Sequence, residues 1–495
     1  MPSLTPRSLR RWSDQIHSPL FRKGIISARM RWKSGLTSVS WKKIERLHNP
    51  NFGGGYQMRR TRFLLRRFIA CALLFFCLEG VTYARIYIDI NSPSVPKFNI
   101  AIPDFKNLGR DNERPALSTE LSGVVSNDLD ISGYFNPLDK AAFLEEKGGS
   151  LKGKDINFKD WSVIGAELLL KGGYVCVGNR LEVEIRLFDV FRGRQILGKR
   201  AFGKLKEYRH LIHRLSNEII LKLTGHDGMF LTRLAFVGTA TGEREIYACD
   251  YDGHNVRPLT KDKSIALLPR WSPDGKKIVY NSYKKKNSGP MLYLRDLVTG
   301  DLRRLSGRSG LNIGACWAPD GKELALTMSH EGNPDIFTID LQGKILNQLV
   351  KHWGIDVSPA FSPDATRLAF VSNRSGSPQI YLLEISSGRV DRLTYEGKYN
   401  TSPVWSSLNR IAFVGKANGN FDIFTLEPDG GRIKRLTADA GDNEDPCWSP
   451  DGRYIAFSSS RTGQYHIYIM NANGQTQRRV TFDKGKQISP SWGPE

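Results

Sequence analysis

The chain has 495 residues and a formal net charge of +22, from 72 Lys+Arg against 50 Asp+Glu. Residues 1–84 hold 16 of those cations and 3 of the acids, so the remaining 56 and 47 leave +9. No DNA-binding motif accompanies the excess, so nucleic acid is not the expected partner. No CxxC or HExxH pattern offers zinc ligands, and a chain of this size needs no disulfide framework.

Residues 1–57 are basic and show no periodic element. Met58 then opens Met-Arg-Arg-Thr-Arg-Phe-Leu-Leu-Arg-Arg, followed by an 11-residue apolar run, Phe68 to Leu78, and a small-residue site, Thr82-Tyr83-Ala84. This is a secretory signal layout, and the apolar run is too short to span a bilayer. Translation is expected to start at Met58, leaving 1–57 untranslated, with a longer atypical leader as the alternative. Residues 58–84 are then the signal peptide and Arg85 the N-terminus of the exported protein. Cys77 lacks the small-residue approach of a lipoprotein site. Cys71 and Cys77 leave with the signal, and Cys176, Cys249, Cys316 and Cys447 are expected to be buried free thiols.

Residues 85–225 alternate strands and helices. Ile86 to Ile90 and Phe98 to Ile102 read as strands, the second ended by Pro103. Leu117 to Leu129 reads as a helix with Ser118 and Glu120 near its start, and 140–146 as helix-like. Leu181 to Asp189 alternates as a half-buried strand should, and Leu205 to Leu223 is an amphipathic helix ending at Thr224-Gly225. The pattern predicts a small α/β sandwich.

From residue 226 on, an aromatic-plus-turn signature recurs six times. It reads Trp271-Ser-Pro-Asp-Gly, Trp317-Ala-Pro-Asp-Gly, Phe361-Ser-Pro-Asp-Ala, Trp405-Ser-Ser, Trp448-Ser-Pro-Asp-Gly and Trp492-Gly-Pro, at spacings of 46, 44, 44, 43 and 44 residues. A fixed period of this length marks a propeller. Pro pre-sets φ for the turn, Asp bonds its own backbone and Gly accepts positive φ. Apolar runs such as Ile278-Val279-Tyr280 and Leu292-Tyr293-Leu294 follow each turn as strands. The first strand set, from Leu234, has no signature before it, and Trp492 has no set after it. The ring therefore balances as six four-stranded blades only if the C-terminal strand joins the first set. The fold class expected for 85–495 is an α/β N-terminal domain plus an all-β six-bladed β-propeller closed in this way. The aromatics are expected to be blade-to-blade core, and the basic outermost strands (Arg303-Arg304, Lys434-Arg435, Arg478-Arg479) protection against edge pairing.

The run Ser132-Gly-Tyr-Phe-Asn-Pro-Leu-Asp139, the stretches Trp161 to Glu167 and Arg186 to Asp189, the Leu223-Thr-Gly225 junction and the six repeats together resemble the TolB family of the Tol-Pal envelope system. The resemblance spans about residues 85–495; the fourth repeat departs from it by losing Pro-Asp-Gly. It implies a binding hub rather than an enzyme, monomeric, without cofactor or metal. It implies that the propeller receives the peptidoglycan-associated lipoprotein, which would hold the chain peripherally at the outer membrane. The mature segment Arg85, Ile86, Tyr87, Ile88, Asp89 and Ile90 would dock between the domains or be released to bind TolA. The implied role is outer-membrane integrity and envelope constriction during cell division.

The residues point to the same mouth of the channel on their own terms. Positions three to six before each aromatic fall on the innermost strand and the loop leading into it: Leu311, Asn312 and Gly314; Asp356, Val357 and Ser358; Asn400 and Thr401; Glu444. Offsets known in the family to affect lipoprotein binding single out Leu311, Gly314 and Val357. The acidic group Asp439, Asp442, Glu444 and Asp445 is expected to be a solvated, partner-facing loop, with a calcium site as the alternative. The rival function is a metal-dependent, lactonase-like propeller hydrolase. A propeller peptidase is disfavoured because no Gly-x-Ser-x-Gly elbow occurs.

Overall fold

A computed structural model describes residues 97–109, 114–144, 149–284 and 289–495. The signal-like region and the strand expected at Ile86 to Ile90 lie outside these residues. Among the described residues no helix is long and apolar enough to cross a membrane.

The N-terminal part is one mixed sheet with helices against it. Its strands are β1 (Phe98–Ala101), β2 (Lys106–Asn107), β3 (Phe135–Pro137), β4 (Leu168–Val177), β5 (Arg180–Asp189) and β6 (Arg194–Lys204), in the order β3-β1-β4-β5-β6 with β2 also on β4. Helix α1 (Leu117–Ile131) buries Leu117, Leu121, Val124, Val125 and Leu129, the face that their spacing defines. Ser118 does not cap it; its hydroxyl donates to the Phe105 carbonyl at 2.5 Å and ties the helix to the connection between β1 and β2. Of the helix-like stretch expected at 140–146, the described residues 140–144 hold a single 3-10 turn, Lys140–Ala142, begun by Asp139 accepting from Ala141 N at 2.9 Å. A short helix α2 (Phe158–Val163) seats Trp161 against Phe143, with ring centroids 5.1 Å apart. Helix α3 (Tyr208–Thr224) ends on Gly225 at φ 74, a left-handed stop that favours glycine. β5 alternates as expected from its sequence. Gly172 in β4 is fixed by Phe105, whose ring would lie 2.3 Å from any added Cβ.

The propeller has six four-stranded sheets. The innermost strands are Ala266–Trp271, Asn312–Trp317, Asp356–Phe361, Asn400–Trp405, Asn443–Trp448 and Gln487–Gly493, here blades one to six. The last pairs antiparallel with Arg233–Gly238 in the register Trp492↔Leu234, so the C-terminal strand completes the sheet begun at residue 233. The signature aromatics are blade-to-blade core: Trp271, Trp317, Phe361, Trp448 and Trp492 are all buried. Burial of each such side chain contributes on the order of 2–3 kcal/mol. Their indoles also stitch blades, Trp317 Nε1 to the Arg270 carbonyl and Trp448 Nε1 to that of Val404, both 3.1 Å. Trp405 alone is half-buried and turns to Asn409 Oδ1 at 3.0 Å.

The two parts share one core. Residues of α1, α3 and the sheet pack with Met229, Phe230, Phe236, Tyr454 and Trp492. Among the described residues the polar ties between them fall on the propeller face that carries the Pro-Asp-Gly turns. Tyr454 OH donates to the Ser132 carbonyl at 2.9 Å, and Arg478 pairs with Asp130. A buried charge network lies at this junction. His213 on α3 places Nδ1 3.0 Å from Asp128 Oδ2 on α1 and Nε2 3.5 Å from Asp252 Oδ2 of the propeller. Tyr251 OH donates to Asp128, Arg209 donates to Asp252, and His254 Nδ1 stands 3.3 Å from Asp252. Asp128, His213 and Asp252 bring ligand-type atoms within 4.8 Å of one another. Proton donors already occupy both carboxylates, which makes the set an ion network rather than a cage for a metal.

Candidate functional site

The channel mouth remote from the N-terminal part is built from the starts of the six innermost strands. Each of these strands is bulged at one place, and the third residue is left-handed in all six: Leu268 (φ 52), Gly314 (φ 65), Ser358 (φ 55), Ser402 (φ 52), Asp445 (φ 52) and Ser489 (φ 52). Proline follows in five, Pro269, Pro359, Pro403, Pro446 and Pro490, where the bulge needs no ladder donor. A left-handed residue other than glycine costs about 1–2 kcal/mol, so five of the six blades hold strain at one level of the channel. Strain of this kind gathers where a site is shaped.

The residues expected at the mouth divide by position in this motif. Asn312, Asp356 and Asn400, first in their strands, are buried. Asn312 Oδ1 accepts from Ser306 Oγ at 2.5 Å, Asp356 Oδ1 from Arg374 Nη2 at 2.9 Å, and Asn400 Nδ2 donates to Gln379 Oε1 at 2.8 Å. Asn312 and Asn400 thereby tie their strands to the preceding blade, whereas Asp356 bonds within its own blade and leaves Oδ2 buried without a hydrogen-bond partner. Leu311, Gly314, Val357, Ser358, Thr401 and Glu444 are half-buried at the rim. The residue four before each aromatic forms a ring of its own: Leu267, Ile313, Val357, Thr401, Glu444 and Ile488. Three of these, Leu267, Ile313 and Ile488, went unmarked in sequence, although a constant offset of four would have found them. The ring is apolar on blades six, one, two and three and polar on four and five.

Trp353 was missed as well. It lies in the loop leading into blade three and is 76 % exposed. Asn333 Nδ2 pins that loop by donating to the carbonyls of His352 and Gly354 at 2.6 and 2.5 Å, and Asn373 Oδ1 accepts from Ile355 N at 2.7 Å. The signal was a tryptophan outside the repeat signature. Tyr395, 71 % exposed, occupies the next blade's leading loop.

The acidic group does not converge. Asp439 is exposed, Asp442 accepts from Phe421 N at 3.0 Å, and Asp445 accepts from the Ser489 backbone and hydroxyl at 3.1 and 3.0 Å. Glu444 accepts from Tyr465 OH at 2.5 Å. Burial, then the neighbouring Asp445 carboxylate, pushes the Glu444 carboxyl up to about 7. The folded state therefore holds more protons than the unfolded chain between pH 4.5 and 7, and stability falls as pH rises through that window. Glu444→Gln should raise the unfolding free energy by about 2–3 kcal/mol at pH 8 and leave it unchanged at pH 4. Urea titrations at both values check this; equal effects at the two pH values would refute it. The four described cysteines are unpaired, and of these Cys249 is buried while Cys176, Cys316 and Cys447 are partly exposed.

The fold and site define a class: a non-covalently closed six-bladed propeller with an α/β domain on one face and a strained, mostly apolar rim on the other. Residues 86–196 match the family described as the TolB amino-terminal domain, and residues 220–409 and 407–495 that described as the TolB beta propeller domain. The chain belongs to the TolB family. The Tol-Pal system protein TolB of Desulfosudis oleivorans is 42% identical over 289 residues, 57% of this chain and 64% of that protein. That of Syntrophotalea carbinolica is 40% identical over 216 residues, 43% of this chain and 50% of that one. The chain thus spans between half and two thirds of the length of these curated relatives. The crystal structure of TolB from Acinetobacter baumannii superposes with a TM-score of 0.71 at 28% identity, covering 83% of this chain and all of that one.

Proposed function

We propose that this chain is a periplasmic binding hub of the Tol-Pal system and not an enzyme. In this reading it acts as a monomer, its propeller rim receives the peptidoglycan-associated lipoprotein, and Arg85 to Ile90 bind TolA. Membership of the TolB family and the Tol-Pal naming of its relatives support the system. The observation that carries the site is the preorganised rim: six bulged strands, an apolar arc from Leu267 to Val357, and Trp353 exposed on a pinned loop. A rigid aromatic beside an apolar patch is the make-up of a protein-binding hot spot. Asn312, Asp356 and Asn400 hold that rim from inside, whereas Gly314, Val357, Ser358, Thr401 and Leu311 present it.

Gly314→Glu and Val357→Arg should each abolish pull-down of the lipoprotein while leaving the melting temperature within a few degrees of the parent. A Cβ at Gly314 meets no atom within 4 Å, so the cost there is backbone strain of about 1–2 kcal/mol and no clash. Lipoprotein binding retained by both variants would sink the assignment of the rim.

A further inference from the structure

On the opposite face, the turns after the innermost strands carry an aspartate in four blades: Asp274, Asp320, Asp364 and Asp451. Each stands beside the cation that follows it in sequence. Lys322 Nζ is 3.7 Å from Asp320, Arg453 Nη1 is 3.5 Å from Asp451, and Lys277 and Arg367 lie in the fields of Asp274 and Asp364. Blade four breaks this pairing. Its turn, Ser407-Leu408-Asn409, is one residue shorter and has no acid; Asn409, at φ 59, takes the left-handed place that Gly275, Gly321, Ala365 and Gly452 fill in the other turns. Leu408 is left 53 % exposed. Arg410 follows with no ion-pair partner among the described residues.

The turn borders a basin of about 870 Å³ that also holds Arg367, Arg432, Lys434 and Arg453, and the N-terminal part walls it with Ser132, Gly133 and Tyr134. Five cations line it against two carboxylates, Glu427 and Asp429. Glu427 is engaged by Arg432 at 2.8 Å and Asp429 by the Gly431 amide at 2.7 Å. Among the described residues Arg410 and Lys434 make no ion pair, and Lys434 donates to the Asn473 carbonyl at 2.9 Å.

We propose that this basin docks an acidic, extended peptide segment of a protein partner, on the face opposite the rim. Guanidinium forks match carboxylates in shape and charge, and Leu408 offers an apolar contact among them. The volume is that of a ligand cleft. Arg367, Arg410 and Arg453 are half-buried beside the N-terminal wall, where a narrow chain reaches them, and Arg432 and Lys434 stand exposed at the edge of the basin. The proposal does not depend on what binds the rim.

The test is fluorescence anisotropy of a labelled hexaglutamate peptide titrated with the purified protein. Saturable binding is expected, weakened about tenfold or more by Arg410→Glu and by Leu408→Asp, which restores the acid that the fourth turn lacks. Arg389→Glu makes the same change of charge at a residue on the outer edge of blade three, and should alter binding less than about twofold. Circular dichroism melts establish that the variants are folded; should Leu408→Asp unfold, Arg410→Glu carries the test alone. Absence of saturable binding, or equal weakening by Arg389→Glu, would overturn the proposal. So would co-sedimentation with phosphatidylglycerol vesicles that needs Arg410 when the peptide does not bind.

Discussion

Removal of residues 487–495 should abolish the cooperative melt of the propeller. The deleted strand supplies the whole ladder to Arg233–Gly238, the buried Trp492 and the packed Ile488. It also removes partners at both neighbouring blades: Ser489 for Asp445, Ser491 Oγ for Trp271 N at 3.1 Å, and the Trp492 amide for Cys447 Sγ at 3.0 Å. A lost core tryptophan alone costs about 3–5 kcal/mol. With an opened sheet edge added, the sum reaches the whole stability of an ordinary domain, about 5–15 kcal/mol. Trp492→Ala separates the two contributions: it should keep the ring closed but lower the unfolding free energy by about 3–5 kcal/mol. Circular dichroism melts of both forms decide the matter. A truncated protein that melts cooperatively at the parental temperature would show that closure does not depend on this strand.

The second large effect is expected at the junction. Asp128→Ala removes the counter-charge of His213 and the acceptor of Tyr251 OH in a site closed to water, and should cost about 3–5 kcal/mol. Burial by itself lowers the His213 pKa, but Asp128 and then Asp252 more than offset it, and the net shift is upward. Asp252 is held well below the ordinary carboxylate range, burial being outweighed by His254, His213 and Arg209. A histidine raised in the folded state contributes its full stability below its unfolded value, near 6.5, and loses it as pH rises through the folded value. Stability at the junction should therefore decline above pH 6.5 in the parent, and His213→Gln should remove that decline. Urea unfolding at a series of pH values from 6 to 9 tests both points. A cost below about 1 kcal/mol for Asp128→Ala would mean that water reaches the network after all.

Much of the architecture was legible because a period of 43 to 46 residues leaves few solutions. The Trp492 signature, lacking strands after it, identified the closing strand. Local signals served less well. Ser118 looked like a helix start and instead bonds the Phe105 carbonyl of the preceding segment. Strand β6 escaped notice because Arg194 to Lys204 lies at a sheet edge, where little of it is buried and its alternation is weak. The junction network was invisible, since His213 is 85 residues from Asp128 and 39 from Asp252 and nothing local marks the three as partners. At the rim, sequence marked the strands but not which way each side chain turns. Asn312, Asp356 and Asn400 look like free polar groups, yet the fold buries all three. The bulge itself had a sequence mark, a proline two before the aromatic in five repeats, which also puts the ring residue two positions before that proline.

The closing strand has a kinetic meaning too. Gln487 pairs with Gly238, so one sheet cannot form until chain segments 249 residues apart have met. Contacts of such high order slow folding, because loop closure must precede any reward. Until they form, the strand at Arg233–Gly238 presents an unpaired inner edge next to the junction core, a template for wrong partners. The slowest step in acquiring the native state should thus lie at the sixth blade, at the same place where the two halves of the molecule are joined.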